Sequence, residues 1–372
     1  MLAQMDVKPL AWIEDGGRMV LRSLRVKAEG YHRYSGDASR ICSSILEDCW
    51  TGSHFMTSTG HFASFFARDF GLCVRSLRFL GQGERVLSSL EYALSAYERA
   101  GRISTTITPA GRVFDVFAYA PDSLAFVLHA LSEADAQDAA KKHRQLLQKE
   151  IERCHRLCWD RKRGLVRADR AFSSIKDNAS RKSSLYDNVM VALTAKHCDA
   201  LGLDNPWKGV RFEENLRDMF WTGTHFREDL ASSAVAGDAN TFPFWAGIVR
   251  DKGMLKSAIA AVRAEGLDAP FPLKYTAGKP GNIFLPARVL APNYEGNTVW
   301  AHLGLAFIEV VARADRALAR RYLAEYTKKI EHYRTFLEVY SPDGTPYRTL
   351  LYECDEGMLW AANYLRLMKT LS

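Results

Sequence analysis

The feature that most constrains this chain is a sixfold recurrence. Six apolar segments begin near Asp69 (FGLCVRSLRFLG), Asp122 (SLAFVLHAL), Asp187 (NVMVALTAKHCDALG), Phe242 (PFWAGIVRD), Asn297 (TVWAHLGLAFIEVV) and Glu356 (GMLWAANYLRL). Their starts lie 53, 65, 55, 55 and 59 residues apart. Charged, amphipathic segments separate them, among them Glu84–Arg99, Ala136–Cys158 and Arg316–His332, and Ala38–Trp50 supplies a twelfth. A helix apolar all round must be buried, whereas one with a single apolar stripe lies at a surface. Alternating the two kinds six times predicts a closed double ring: an all-α (α/α)6 toroid of six helical hairpins. A superhelical solenoid is the competing arrangement, but it does not require inner helices that are apolar on every side.

The length of 372 residues admits two domains. No low-complexity or Pro/Ser-rich linker divides the chain, so a single main domain over 36–372 is expected. An N-terminal extension, 1–35, would pack on it. There Met19-Val20-Leu21 and Leu24-Arg25-Val26 predict a short strand or an irregular apron. The formal net charge is +7, but the basic residues are dispersed. Their densest cluster, Lys141, Lys142, His143 and Arg144, fits a solvated helix face, so no nucleic-acid partner is expected. Seven cysteines form neither a disulfide framework nor a metal-ligand spacing. Cys154 and Cys158, one helical turn apart, are read as core thiols. A reducing compartment, the cytoplasm, follows from that usage. Met1 to Gly17 carries Asp6, Lys8, Glu14 and Asp15 and no apolar core, so no signal peptide is expected. No segment has the length and apolarity of a membrane span. Neither a metal nor a cofactor is expected, and oligomeric state stays open, a homo-oligomer included.

Each apolar segment opens on polar and aromatic residues: Arg68-Asp69; Tyr119 to Ser123; Tyr186-Asp187-Asn188; Asp238 to Trp245; Tyr294-Glu295 to Trp300; and Asp355-Glu356. Taken singly, the acids fit helix capping and the helix dipole. Capping does not account for Arg68, Trp245, Trp300 and His302, nor for aromatic and acidic residues paired at six starts. Inner helices of such a ring run parallel, so the starts converge in one bowl. Rings that stack on sugar C–H faces, with carboxylates that grip hydroxyls, are what a carbohydrate site needs.

Three segments resemble the six-hairpin glycosidases, a group that includes glucoamylases, neutral invertases, trehalases and glycogen-debranching glucosidases. Gly60 to Gly71 (GHFASFFARDFG) resembles their aromatic-rich Arg-Asp segment, whose Asp holds sugar hydroxyls. Tyr119–Phe126 (YAPDSLAF) is similar to the segment that carries the general acid of the neutral invertases. Phe336–Arg348 (FLEVYSPDGTPYR) resembles the late segment that carries the second catalytic carboxylate. The resemblance runs from about Trp50 to the C-terminus. It implies a hydrolase acting on an oligosaccharide or small glycoside with two carboxyl groups, one protonated and one ionised. Asp122 is then the general acid and Glu338 the base or nucleophile, with Glu353, Asp355 and Glu356 crowded nearby. The double-acid signature of glucoamylases is absent before the third inner helix, and Asp177 is its nearest substitute and the second candidate for the acid. Arg68, Asp69, Tyr186, Asp187, Trp245, Glu295, Trp300, His302 and Glu356 are expected to bind the carbohydrate. Two alternatives share the ring. One is an epimerase or lyase that moves protons with His or Tyr, His61 and His302 being candidates. The other is a non-enzymatic carbohydrate-binding toroid.

Overall fold

The computed structural model describes residues 7–278 and 291–372. Its six inner helices are α3 (Ala67–Phe79), α5 (Pro121–Glu133), α8 (Leu185–Ala200), α10 (Phe242–Trp245), α12 (Ala301–Val311) and α14 (Ala361–Leu371). They pack in the cyclic order α3, α5, α8, α10, α12, α14, and α14 returns to α3, which closes the ring. The outer helices are α2 (Ala38–Asp48), α4 (Gly83–Ala100), α7 (Arg144–Cys158), α9 (Phe212–Phe220), α11 (Lys252–Ala264) and α13 (Arg316–Tyr333). This is the (α/α)6 toroid.

Burial follows the apolar pattern. In α12 every residue but Glu309 is buried, whereas α7 buries only Leu146, Leu147, Glu150, Ile151, Cys154 and Cys158. Local signals set several starts. Asp37, Asp251 and Asp315 accept from the backbone N–H groups of Arg40, Met254 and Leu318, and Ser184 accepts from that of Asp187. Pro121 opens α5, where its missing N–H is not needed.

Contacts at both ends show that the inner helices run parallel. First-turn residues meet at one end, where Arg68 bonds Asp122 and Tyr186 bonds Asp122. Residues further along the helices meet toward the other, where Arg75 bridges Glu133 at 2.9 Å and Glu309 at 3.0 Å, and Arg366 also pairs with Glu309. Short strands line the first end: β1 (Phe65–Phe66), β2 (Thr106–Ile107) and β3 (Val113–Phe114) form one antiparallel sheet. β4 (Trp159–Asp160) pairs with β5 (Leu165–Val166), and β6 (Val299–Trp300) with β7 (Val339–Tyr340).

Three expectations are corrected. The N-terminal segment is neither strand nor irregular: residues 7–29 form a helix, α1 (Val7–Glu29); residues 1–6 of the expected extension lie outside the described part. The fourth inner helix is a single turn, ended by Gly247 in the left-handed region at φ 65°. The charged segment 136–158 is two helices, α6 (Gln137–Lys142) and α7, divided at His143.

Candidate functional site

Arg68, in the first turn of α3, is the hub of one wall. Its Nε donates to Asp122 Oδ2 at 2.7 Å and its Nη2 to the Ser174 carbonyl at 2.6 Å. Nη2 also reaches Asp177 Oδ1 at 3.2 Å, and Nη1 reaches Asp177 Oδ2 at 3.4 Å. The Tyr186 hydroxyl, from α8, donates to Asp122 Oδ2 at 3.1 Å. One guanidinium thus ties α3 to α5 and to the loop that precedes α8. Asp122 is fully buried, and burial pushes its carboxyl up to about 6 against the pull of Arg68. Asp177 lies further out, with 22% of its side chain exposed, and accepts from Ser173 Oγ at 2.8 Å. The next residue, Asn178, donates to Glu295 through its backbone N–H and its side-chain amide, each at 3.0 Å. Burial, with the Asp177 charge next, pushes Glu295 up to about 7.

The floor is aromatic. Trp360 Nε1 donates to Asp69 Oδ1 at 2.9 Å, and the Trp360 ring lies 4.8 Å from that of His302. Burial raises Asp69 to about 6. The Tyr275 hydroxyl lies 3.1 Å from His302 Nε2 and donates to the Ile175 carbonyl at 3.0 Å, two residues before Asp177. Burial lowers His302 to about 3, so it is neutral. Trp300 packs 5.2 Å from His302 and donates from Nε1 to the Tyr294 carbonyl at 2.7 Å.

That bond leads to the other wall. Glu338, immediately before β7, accepts from the Tyr294 hydroxyl at Oε1. At Oε2 it accepts from the Tyr352 hydroxyl at 2.6 Å and from the Asp355 N–H at 2.9 Å. Its carbonyl accepts from the N–H of Ala301, the first residue of α12, at 3.1 Å. Among the described residues, phenols and a peptide hold this carboxylate, with no guanidinium or ammonium. Burial, followed by the negative charge of Asp355, pushes it up to about 7.

The structure therefore brings Arg68, Asp69, Asp122, Asp177, Tyr186, Glu295, Trp300, His302 and Glu338 to one end. Three expected residues lie elsewhere. Trp245 packs against Phe126, His129 and Arg75, two turns deep in the ring. Asp187 accepts from Ser184 Oγ at 2.6 Å and feels Arg181 beside it, so it belongs to a buried charged cluster with Arg181 and Asp238 behind the Arg68 wall. Glu356 pairs with Arg22 of α1 at 2.8 Å and accepts from the His32 N–H at 2.6 Å. For Asp187 and Glu356 the helix-start position was a fair guide to height in the ring, but not to the direction of the side chain; for Trp245, the last residue of a single-turn helix, it misjudged the height as well. The reading from sequence missed Trp360, Tyr275 and Tyr352. Trp360 carried a signal, an aromatic residue in the last apolar segment; Tyr275 and Tyr352 sit in irregular segments and carried none. Among the described residues, no group of three or more His, Cys, Asp or Glu is arranged to hold a metal ion.

No family model matches the sequence, and no curated protein matches it. Solved structures do. A glycosidase variant in complex with glucose superposes with a TM-score of 0.66 at 16% identity, over 90% of this chain and 96% of that one. A mannosylglycerate hydrolase from Thermus thermophilus gives 0.63 at 14% identity, over 89% and 100%. A rhamnosidase from Klebsiella oxytoca with rhamnose bound gives 0.64 at 12% identity, over 90% and 63%. The chain shares its fold with these glycosidases.

Proposed function

We propose that this chain is a glycoside hydrolase acting on a small glycoside, with Asp177 as general acid and Glu338 as general base. The observation that carries the reading is a pair of carboxyl groups, Asp177 and Glu338, held on two walls at one end of the ring. Asp177 is tethered to Arg68 yet partly open. Glu338 is buried among phenols, with a proton affinity near neutrality. An acid must touch the leaving oxygen. Of the two candidate acids Asp177 is the more open, its side chain 22% exposed against 0% for Asp122, the acid read from sequence, whose Oδ2 is also held by Arg68 and Tyr186. The role of Asp122 here is to fix Arg68. Asp177 protonates the leaving oxygen; Glu338, ionised, takes a proton from the attacking water, the task a base poised near the working pH does best. Asp69, oriented by Trp360, and neutral His302 present acceptors to sugar hydroxyls. The neighbours that hold glucose and rhamnose support a hexose on this floor.

The epimerase alternative has less support. His302 is bonded to Tyr275, while burial holds His61 at about 4 and places it against Asp355 and under Tyr352. Among the described residues no helix is long and apolar enough to cross a membrane. All seven cysteines are free and buried, which supports the cytoplasm as the compartment.

The test is a screen of aryl glycosides and disaccharides, followed by amide variants on the substrate found. Glu338→Gln should lose ~10²–10⁴-fold in kcat on every substrate. Asp177→Asn should lose as much on a disaccharide but far less on an aryl glycoside, whose leaving group needs little protonation. If Asp122→Asn shows that leaving-group dependence and Asp177→Asn does not, the acid is Asp122. Full activity of Glu338→Gln would remove the base assignment.

A further inference from the structure

Helix α1 stands outside the twelve helices of the ring, yet it inserts a guanidinium into it. Arg22 is 6% exposed. Its Nη1 donates to the Cys354 carbonyl at 3.3 Å, its Nε faces Asp355 Oδ1 at 3.3 Å, and its Nη2 faces Glu356 Oε1 at 2.8 Å. The neighbouring Ser23 accepts from the Glu353 N–H at 3.0 Å, and Lys27 donates to the Thr349 carbonyl at 2.9 Å. One face of α1 therefore grips the stretch from Thr349 to Glu356.

That same stretch cradles Glu338. Tyr352 and the Asp355 N–H occupy Glu338 Oε2, and the Glu338 N–H donates back to the Asp355 carbonyl at 3.0 Å. The Asp355 carboxylate meanwhile gathers Ser58 Oγ at 2.5 Å, the His61 N–H at 3.0 Å and the Phe62 N–H at 2.9 Å. The approach is so close that a Cβ on Gly60 would fall 1.8 Å from Asp355 Oδ1 and 2.7 Å from Arg22 Nε.

We propose that Arg22 is a positioning residue for Glu338, acting through Asp355 and the 353–356 backbone, so that α1 is a working part of the active site. The proposal rests on the assignment of Glu338 as base. Glu338 faces the phenols of Tyr294, Tyr347 and Tyr352, the Cys354 thiol and the Asp355 carboxylate. Asp355 faces Arg22, His61 and Ser58; Glu356 faces Arg22 and Arg25; Glu353 faces Tyr31 and Arg348. Among the described residues Arg22 is thus a buried cation in direct contact with this acidic group. Loss of its positive charge makes the field at Glu338 more negative and ionisation harder. Loss of the Asp355 negative charge does the opposite.

Opposite signs separate this role from simple packing. The experiment compares Arg22→Met, Arg22→Lys and Asp355→Asn in the full chain. The readouts are kcat and KM against pH, and the Glu338 carboxyl titration by carbon NMR of glutamate-labelled protein, assigned with Glu338→Gln. Arg22→Met should lower kcat ~10- to 100-fold with KM little changed. Its acid limb should move up by about half a pH unit, and that of Asp355→Asn down by about one. Arg22→Lys should recover most of the loss. Unshifted titration in a folded Arg22→Met protein overturns the proposal, as do shifts of the same sign in the two charge variants. If Asp355→Asn does not fold, the Arg22 pair still reads the sign. If the hydrolase assignment fails, no variant has activity to lose, but the carboxyl titration still reports whether Arg22 governs Glu338.

Discussion

Glu338 and Asp69 show how this end of the ring treats individual carboxyls. Among the described residues neither has a cation in hydrogen-bonding contact, and burial raises both. With Glu338 at about 7, kcat/KM should fall below about pH 7 as the base takes up its proton. The Tyr352 bond favours the ionised form, so Tyr352→Phe should move that limb to higher pH; a pH–rate profile with the limb unmoved or lowered counts against it. The same shift bears on stability. The folded-state value lies above the unfolded value of 4.5, so the carboxyl's contribution is fully present below 4.5 and is lost as pH rises through about 7. Glu338→Gln has no such loss. Relative to this variant, the parent should lose about 3 kcal/mol between those limits. Denaturant melts of both proteins at two pH values measure the difference, and a constant difference would exclude it. Trp360→Phe removes the indole hydrogen bond to Asp69 Oδ1, so KM should rise more than kcat falls.

At the scale of elements, close approaches matter more than propensity. Gly304 lies within α12, where Ala would ordinarily be favoured by about 1 kcal/mol. Here an added Cβ would meet the Tyr326 hydroxyl at 2.1 Å and the Pro272 carbonyl at 2.3 Å. Gly304→Ala should therefore destabilise, by about 1–3 kcal/mol, because α12 and α13 would have to part. A thermal midpoint at or above that of the parent would show that the helices yield freely. The N-terminal segment carries the corresponding lesson for reading sequence. In α1, Leu21 and Leu24 are 70% and 55% exposed, while Arg22 and Ser23 are 6% and 1% exposed. Two leucines face out while Arg22 and Ser23 face in beside Val26, so a reading that follows the apolar residues loses the helical face. The inversion exists because α1 is held by ion pairs and peptide contacts to the stretch before α14.

At the scale of the molecule, the ring closes between elements far apart in the chain. Ser76 of α3 donates to Asn363 of α14 at 2.6 Å, and α14 also packs on α2 and α13. A solenoid tolerates loss of an end repeat, since each unit leans only on its neighbours. A closed ring does not. Deleting residues 361–372 should abolish cooperative unfolding of the entire chain, as followed by circular dichroism. A truncated protein that melts in one transition near the parent temperature would mean that closure is not required.

What the sequence determined by itself was the set of inner helices and their common end. The cause is local and periodic: helices apolar on every side alternate with striped ones, and acids and aromatics stand at helix starts. Those features fixed the toroid and the level at which Arg68, Asp69, Asp122, Trp300 and His302 sit; Glu338 was marked by the resemblance of Phe336–Arg348 to the six-hairpin glycosidases. Which of them touch was decided only by tertiary structure. Arg68 meets Asp122 and Asp177, 54 and 109 positions away, and Trp360 meets Asp69 across 291 positions. Tyr352 is only 14 positions from Glu338, but it lies in an irregular stretch where no period says which way a side chain points. A helix start sets height in the ring; rotation about the helix axis, loop path and partner charge set direction. That is why Asp187 and Glu356, placed by height alone, turned away from the bowl, why Trp245, at the end of a one-turn helix, lay below it, and why a guanidinium from α1 reached in beneath it.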